Sequence, residues 1–191
     1  LSCNNKDVIN KIKKNINSIA CAMYVVSHHC SDYNSLNIKT FIKICKRFKI
    51  PLIVDAASEE YMEDFFIAGA DMAIFSSHKF MGSLTAGIVA GKKKYIRSVY
   101  LQNLGIGRGM KVGKEGIYSS ISAVENWYKR NTKNDLFKQK KIISYWLKYL
   151  DTKNYQGIDY EVMPDPTGNK INRFRIIVDS KNSNFSAQSL A

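Results

Sequence analysis

Two residues in this 191-residue chain carry groups that could do chemistry together. Asp55 closes the apolar run Pro51-Leu-Ile-Val-Asp55, and Lys79 sits in the polar turn Ser76-Ser-His-Lys-Phe-Met-Gly82, directly after Ala73-Ile-Phe75. In open α/β sheets ligands bind outside the carboxyl ends of the strands. If the two strands are neighbours, Asp55 and Lys79 meet over one crevice. A lysine amine can form a Schiff base with an aldehyde, and a carboxylate can keep a pyridine nitrogen protonated; together they suit pyridoxal phosphate as cofactor. The hydroxyl of Ser76 and the imidazole of His78 could hold its phosphate, with Gly82 and Gly87 allowing sharp turns nearby. Either residue alone means little, since a strand-end Asp is commonly a turn former and a loop Lys is commonly solvated.

The elements around them read as alternating strands and helices. Residues 6–18 predict a helix, and Ile19 to Val26 a buried strand. Ile38, Phe41, Ile42, Cys45 and Phe48 repeat at helical spacing, which places Cys45 in the core. Ile50–Asp55 is a short strand, Glu59–Ala68 a helix stopped by Gly69, and Asp71–Phe75 and Ala86–Ala90 are further strands. This alternation predicts βαβ units and a mostly parallel sheet, an α/β fold. The second half differs. Ile117, Ile121, Val124 and Tyr128 predict one face of a long helix. Ile142, Ile143, Trp146, Leu147 and Leu150 predict another, after a polar break around Asn131–Asp135. Tyr160–Met163 and Arg173–Val178 read as strands joined by the turn Pro164-Asp-Pro-Thr-Gly168. The expected organisation is therefore residues 1–130 as part of a large domain and 131–191 as a linking helix with the start of a smaller α+β domain. The chain opens at Leu1 and closes in Phe185–Ala191, which reads as the first turns of a Ser-capped helix, so a piece of a longer protein is expected.

Composition narrows the alternatives. With 45% hydrophobic and 12% aromatic residues, a packed core is expected, and no apolar run reaches the ~18 residues of a membrane span. The four cysteines form no Cys-x-x-Cys pair, which argues against a disulfide scaffold or zinc ribbon and for reduced thiols in a cytoplasmic protein. The net charge of +13 could mark a polyanion partner. The lysines are scattered over different predicted elements, however, amid a general excess of Lys, Asn and Ile, so a solvated surface is the plainer reading. His28-His29-Cys30 invites a metal, but adjacent histidines on a strand point to opposite faces and no further cluster completes a site, so none is expected. Gly105-Ile-Gly-Arg-Gly109 lacks the preceding strand of a dinucleotide loop.

From about Ala22 to Tyr128 the chain resembles fold-type I pyridoxal-phosphate enzymes of the aspartate aminotransferase-like architecture. Within them it is most similar to the selenocysteine synthase (L-seryl-tRNA(Sec) selenium transferase) family and its D-glucosaminate-6-phosphate ammonia-lyase branch. The resemblance rests on Pro51-Leu-Ile-Val-Asp-Ala-Ala-Ser58, Ala68-Gly-Ala-Asp-Met-Ala-Ile-Phe-Ser-Ser-His-Lys79, Gly82-Ser-Leu-Thr-Ala-Gly-Ile-Val-Ala-Gly91 and Gly105-Ile-Gly-Arg-Gly-Met-Lys-Val-Gly-Lys-Glu115. It implies that Lys79 is the aldimine lysine and the acid/base at the substrate α-carbon. It also implies that Asp55 pairs with the pyridine nitrogen, that Ala57 lies against the ring, and that Ser76 and His78 contact the phosphate. Arg108 is a candidate for a substrate carboxylate or phosphate through its bidentate fork, with a structural role capping carbonyls as its alternative. Lys111 and Lys114 are weaker candidates, and Glu115 belongs to the first turn of a helix. By the same resemblance the segment Val26–Cys30 ends near the crevice, where His28 or His29 would line the substrate pocket.

Two departures separate the chain from the selenium transferases. His78 stands where they have the acid of a Gly-Asp-Lys pattern, and the block around Arg108 differs from their Arg-Ala-Leu-Arg-Val-Asp-Lys. Both point to the ammonia-lyase branch, hence to β-elimination on an amino acid or amino-sugar acid by a homo-oligomer. A selenium-transferase-like enzyme acting on aminoacyl-tRNA, another transferase of this cofactor, and a non-catalytic remnant are the alternatives. The fragment by itself is expected to be inactive, because the missing half would supply further cofactor contacts.

Overall fold

The computed structural model describes residues 5–30 and 36–190. The chain divides into two compact units, Leu1–Lys129 and Arg130–Ala191.

The first unit is built on a four-stranded sheet of order β1-β2-β3-β4, formed by β1 (Ala22–Val25), β2 (Leu52–Asp55), β3 (Met72–Ser76) and β4 (Gly87–Gly91). β1, β2 and β3 run parallel, with Val25 opposite Asp55 and Asp55 opposite Ile74. β4 returns antiparallel, pairing Ser76 with Gly87 and Met72 with Gly91. A connection this short cannot cross over to a parallel strand, so reversal is the geometry open to it. The fold is thus α/β with a mixed, mostly parallel sheet, as expected of the pyridoxal-phosphate transferase architecture.

Helices α1 (Asn5–Asn15), α2 (Ile38–Arg47) and α3 (Met62–Ala68) precede β1, β2 and β3. α2 starts on the Asn37 side chain, which accepts from the Lys39 amide at 2.8 Å. α3 ends as its sequence predicts, at Gly69 in a left-handed conformation (φ 113°). The core packs Ile42 and Cys45 of α2 and Met62 of α3 against Leu52 and Val54 of β2 and Ala73 and Phe75 of β3. A second cluster joins Val8 and Ile12 of α1 to Ile44 and Ile50. Cys45 is core, as its helical spacing requires.

Two expectations need correction, and one helix goes unread in the sequence. The run Ile19–Val26 is not a fully buried strand: only residues 22–25 are extended, and alternate side chains Met23 and Val25 are 54% and 42% exposed. Among the described residues β1 lies at the edge of the sheet and has one covered face, so hydrophobicity overstates its burial. Residues 93–101 form α4 (Lys93–Leu101), which the lysine-rich start Lys92-Lys-Lys94 conceals from a hydropathy reading. After two short 3₁₀ segments, Gln102–Leu104 and Ile106–Met110, comes α5 (Lys114–Lys129). Three of the four apolar residues that predict its inner face turn outward instead: Ile117, Ile121 and Tyr128 are 48%, 52% and 60% exposed, while Val124 is half-buried. Its buried positions are Gly116 and Ala123. With Ser120 and Trp127 between and beyond them, these form a stripe at steps of four, three and four residues, one helical face. Small side chains there let the helix approach closely, and the Ala86 side chain lies 3.9 Å from where a Cβ on Gly116 would stand.

The second unit begins with α6 (Thr132–Lys153), capped by the Asn131 side chain on the Asn134 amide at 3.1 Å. The polar stretch 131–135 is therefore the start of this helix. β5 (Ile158–Pro164) and β6 (Asn172–Val178) form an antiparallel hairpin. Its connection is knotted around Asp165, which accepts from Thr167, Asn169 and, at 2.6 Å, the Arg173 guanidinium. α7 (Ala187–Leu190) opens on Ser186, whose hydroxyl accepts from the Ser189 amide at 3.2 Å. Among the described residues no helix is long and apolar enough to cross a membrane.

Candidate active site

The carboxyl ends of β2 and β3 lie side by side because the two strands pair in parallel register up to Asp55 and Ile74. The Ala56 amide continues the ladder one step further, donating to the Ile74 carbonyl at 2.9 Å. Beyond that rung β2 runs on into residues 57–58, and β3 runs on into Ser76 and the turn that carries Lys79. On the opposite flank of β2, the Val26 amide donates to the Asp55 carbonyl at 2.8 Å. Asp55 is thus fixed through its backbone by strands on both sides, while its carboxylate, half-buried, accepts from the Ala57 amide at 3.3 Å.

Lys79 reaches across this edge. Its Nζ donates to the Ser58 hydroxyl at 2.9 Å, so the lysine of the β3 turn touches the segment that begins at Asp55. The Ser76 hydroxyl and the His78 Nδ1 are a hydrogen-bonded pair at 2.8 Å. Lys79 and His78 are both exposed, so the amine and the imidazole are accessible to a ligand. Gly82 takes a positive φ of 73° in the turn that follows, as a tight reversal requires. Gly87, by contrast, is an ordinary strand residue.

The turn residues 77–86 connect β3 to β4, and they are held by a group of serines that composition and periodicity do not mark. Ser77 is fully buried; its hydroxyl donates to the Ala86 carbonyl at 2.9 Å and accepts from the Ser120 hydroxyl of α5 at 3.0 Å. The Ser83 hydroxyl donates to Ser119 at 3.0 Å, and the Leu84 amide donates to the same Ser119 oxygen at 3.0 Å. Phe80 meets Trp127 of α5, their ring centroids 6.4 Å apart.

The remaining candidates lie on other segments of the chain. Arg108 is exposed on the 3₁₀ segment before α5, its amide donating to the Gly105 carbonyl at 3.0 Å. Lys111 and Lys114 are exposed, and Glu115 falls in the first turn of α5. His28 and His29 occupy a turn beyond β1 rather than the strand itself. Their rings are not on opposite faces but adjacent, with centroids 3.8 Å apart. Among the described residues no group of three His, Cys, Asp or Glu side chains could hold a metal ion.

A primary amine, a carboxylate, and a hydroxyl–imidazole pair at the mouths of adjacent parallel strands form a donor set that fits pyridoxal phosphate: amine for aldehyde, acid for ring nitrogen, hydroxyl and imidazole for phosphate.

Comparison with known proteins points to a family that uses the same cofactor. The aminotransferase class-V family model matches residues 4–128. D-glucosaminate-6-phosphate ammonia lyase of Salmonella typhimurium (strain 14028s / SGSC 2262) is 39% identical over 113 residues, 59% of this chain and 31% of that protein. A 5'-C-glycyluridine monooxygenase-decarboxylase of Streptomyces sp is 28% identical over 173 residues, covering 90% of this chain and 43% of that protein. Among solved structures, a D-glucosaminate-6-phosphate ammonia-lyase superposes with a TM-score of 0.63 at 32% identity, over 90% of this chain and 45% of that one. An archaeal O-phosphoseryl-tRNA(Sec) selenium transferase shares the fold, with a TM-score of 0.54 at 18% identity, over 84% of this chain and 38% of that one. The chain spans less than half the length of each of these relatives.

Proposed function

Because the chain belongs to the aminotransferase class-V family, whose enzymes use pyridoxal phosphate, we propose that it carries the cofactor lysine of a lyase acting on an amino-sugar acid or a related amino acid. The observation that carries this reading is the Lys79–Ser58 contact, which brings the amine of the β3 turn to the segment that Asp55 begins.

When bound, pyridoxal phosphate supplies an electron sink that stabilises negative charge at the substrate α-carbon. The residues of this chain do the rest. Lys79 Nζ would anchor the cofactor and serve as the general base for the substrate α-proton, a role that requires hydrogen-bond reach. The Asp55 carboxylate would keep the cofactor's ring nitrogen protonated. Ser76 and His78 hold the phosphate, and Ala57 offers a small apolar surface to the ring. Arg108 receives a substrate carboxylate or phosphate, and His28 lines the pocket. The reaction class is β-elimination, in which an amino acid that loses an α-proton and a β-substituent would give, with water, a keto acid and ammonia. The Salmonella relative is named for an ammonia-lyase reaction on D-glucosaminate 6-phosphate, which makes phosphorylated amino-sugar acids the first substrates to try.

Residues 1–130 contribute to the large domain and 131–191 open the smaller one. The full protein acts in the cytoplasm as a homo-oligomer.

Borohydride reduction of the full-length gene product with pyridoxal phosphate, followed by peptide mass spectrometry, tests the proposal. A phosphopyridoxyl mass on the Lys79 peptide, absent in Lys79→Ala, is the expected result. A folded protein whose Lys79 stays unlabelled would overturn it.

A further inference from the structure

We infer that Ser119 and Ser120 of α5 are positioning residues that fix the loop bearing Lys79, and through it the reach of the lysine amine. The inference rests on the proposed role of Lys79. Its geometry is independent of that role.

A loop lysine is a poor place for a proton-transfer group unless something restrains it. Its side chain has four rotatable bonds and its loop adds backbone freedom, whereas proton transfer demands hydrogen-bond distances of about 3 Å. The amine end is held by Ser58. The backbone end is held from α5. Ser120 donates to the buried Ser77 hydroxyl, two residues before Lys79, and Ser119 accepts both the Ser83 hydroxyl and the Leu84 amide, four and five residues after it. Lys79 is therefore bracketed on both sides by hydroxyl contacts to two consecutive residues of one helix. Phe80 against Trp127 adds a third contact, two turns further along α5.

The helix is shaped for this task. Gly116 and Ala123 sit buried on the same stripe as Ser120, so α5 lies close enough for a side chain as short as serine to reach the loop. A buried hydroxyl is costly unless it is hydrogen-bonded. An alanine would pack as well on this stripe, and what the hydroxyls add is direction.

The test uses the full-length protein and the variants Ser120→Ala, Ser120→Thr and Ser119→Ala. Amide hydrogen exchange over residues 77–86 is measured without added cofactor. The pH midpoint of the visible absorption is then followed with pyridoxal phosphate bound, together with kcat and KM. The expected result is exchange about tenfold faster in this loop alone for both alanine variants, with the sheet unchanged. With cofactor bound, Ser120→Ala shifts the absorption midpoint and lowers kcat about tenfold or more at constant KM, because a small displacement of a reacting group is enough to cost this. Ser120→Thr, which keeps the hydroxyl, restores both. Unchanged loop exchange in the alanine variants would overturn the inference. So would a loss of thermal stability with the absorption midpoint and kcat unmoved, since that is what a purely structural hydrogen bond produces. If Lys79 is not labelled by borohydride in the wild-type protein, the proposed function fails on that ground, and the exchange measurement still decides whether α5 holds the loop.

Discussion

The Leu52 amide donates to the Asp71 carboxylate at 2.9 Å, so the first residue of β2 is bound by a side chain from the residue before β3. Asp71 also pairs with Lys92 at 2.6 Å, and its backbone bonds to Leu52 and Lys92 in turn. One residue thus clasps three strands at the edge of the sheet opposite Asp55 and Lys79. It sets the register that brings Asp55 level with Ile74 at the other end.

Asp71→Ala is expected to lower stability by about 1–3 kcal/mol, since it leaves the Leu52 amide without its acceptor. Lys92→Met should cost much less, because the lysine is exposed and the pair is weakened by solvent. Chemical denaturation of both variants gives the comparison. Equal losses would mean that the ion pair, not the amide bond, is the important half.

Asp55→Asn should leave the sheet intact and lower kcat about 10²- to 10³-fold, the usual range for removing one fixed electrostatic partner of a reacting group. Circular dichroism and steady-state kinetics read the two effects separately. Wild-type turnover in this variant would remove Asp55 from the mechanism.

Gly91 has a φ of 151°, and a Cβ there would stand 2.4 Å from the Asp71 carbonyl oxygen and 2.8 Å from Met72 Cα. Both obstacles are backbone, so Gly91→Ala must open the β3–β4 pairing. A loss on the order of 3 kcal/mol is expected, visible as a lowered unfolding midpoint. Gly82→Ala, with nothing within 4 Å, bears only the conformational penalty and should cost less.

The Asp165 carboxyl is buried, which favours its neutral form. Hydrogen bonds from Thr167, Arg173 and Asn169 and the Arg173 charge outweigh this and hold it below the usual carboxylate value. Its stabilising effect is therefore present above the unfolded value, about pH 3.9, and is lost as pH falls through the lower folded one. Acid titration of amide exchange in the β5–β6 hairpin should show this loss, and Asp165→Asn should flatten it. A hairpin equally protected at all pH values in the wild-type protein would contradict the assignment.

Burial, the nearby Asp71 charge and a smaller opposing backbone contact push the Cys45 thiol up to about 11. Almost no thiolate exists at neutral pH, and the site is closed. Thiol reagents should modify the exposed Cys21 and Cys30 quickly and Cys45 only on unfolding, as counted by intact mass. Early modification of Cys45 would show that α2 opens on its own.

The site's backbone was legible because parallel strands write themselves as short apolar runs, and the residue that ends such a run stands at the ligand edge. Asp55 and the Lys79 turn follow from that rule alone. The inner face of α5 does not, because hydrophobic spacing marks Ile117, Ile121 and Tyr128, whereas the structure chooses Gly116, Ser120 and Ala123, where closeness matters more than apolar area. Hydroxyls carry no periodic signal, so Ser77, Ser83, Ser119 and Ser120 emerge only when the loop and the helix are seen side by side. His28 and His29 do not point to opposite faces for a related reason: strand alternation ends at Val25, and both lie beyond it in a turn.

The antiparallel return of β4 gives Lys79 a particular kind of freedom to change. Residues 77–86 form an arch whose two feet, Ser76 and Gly87, are paired in the same rung. Changing the arch between Lys79 and Gly82 would move the amine while the rung at its feet stays paired, although Met81 packs on the core and limits how far it can go. Reactivity and foldedness can then diverge along separate paths, with the arch exploring new substrates while Asp71 and Gly91 keep the platform as it is.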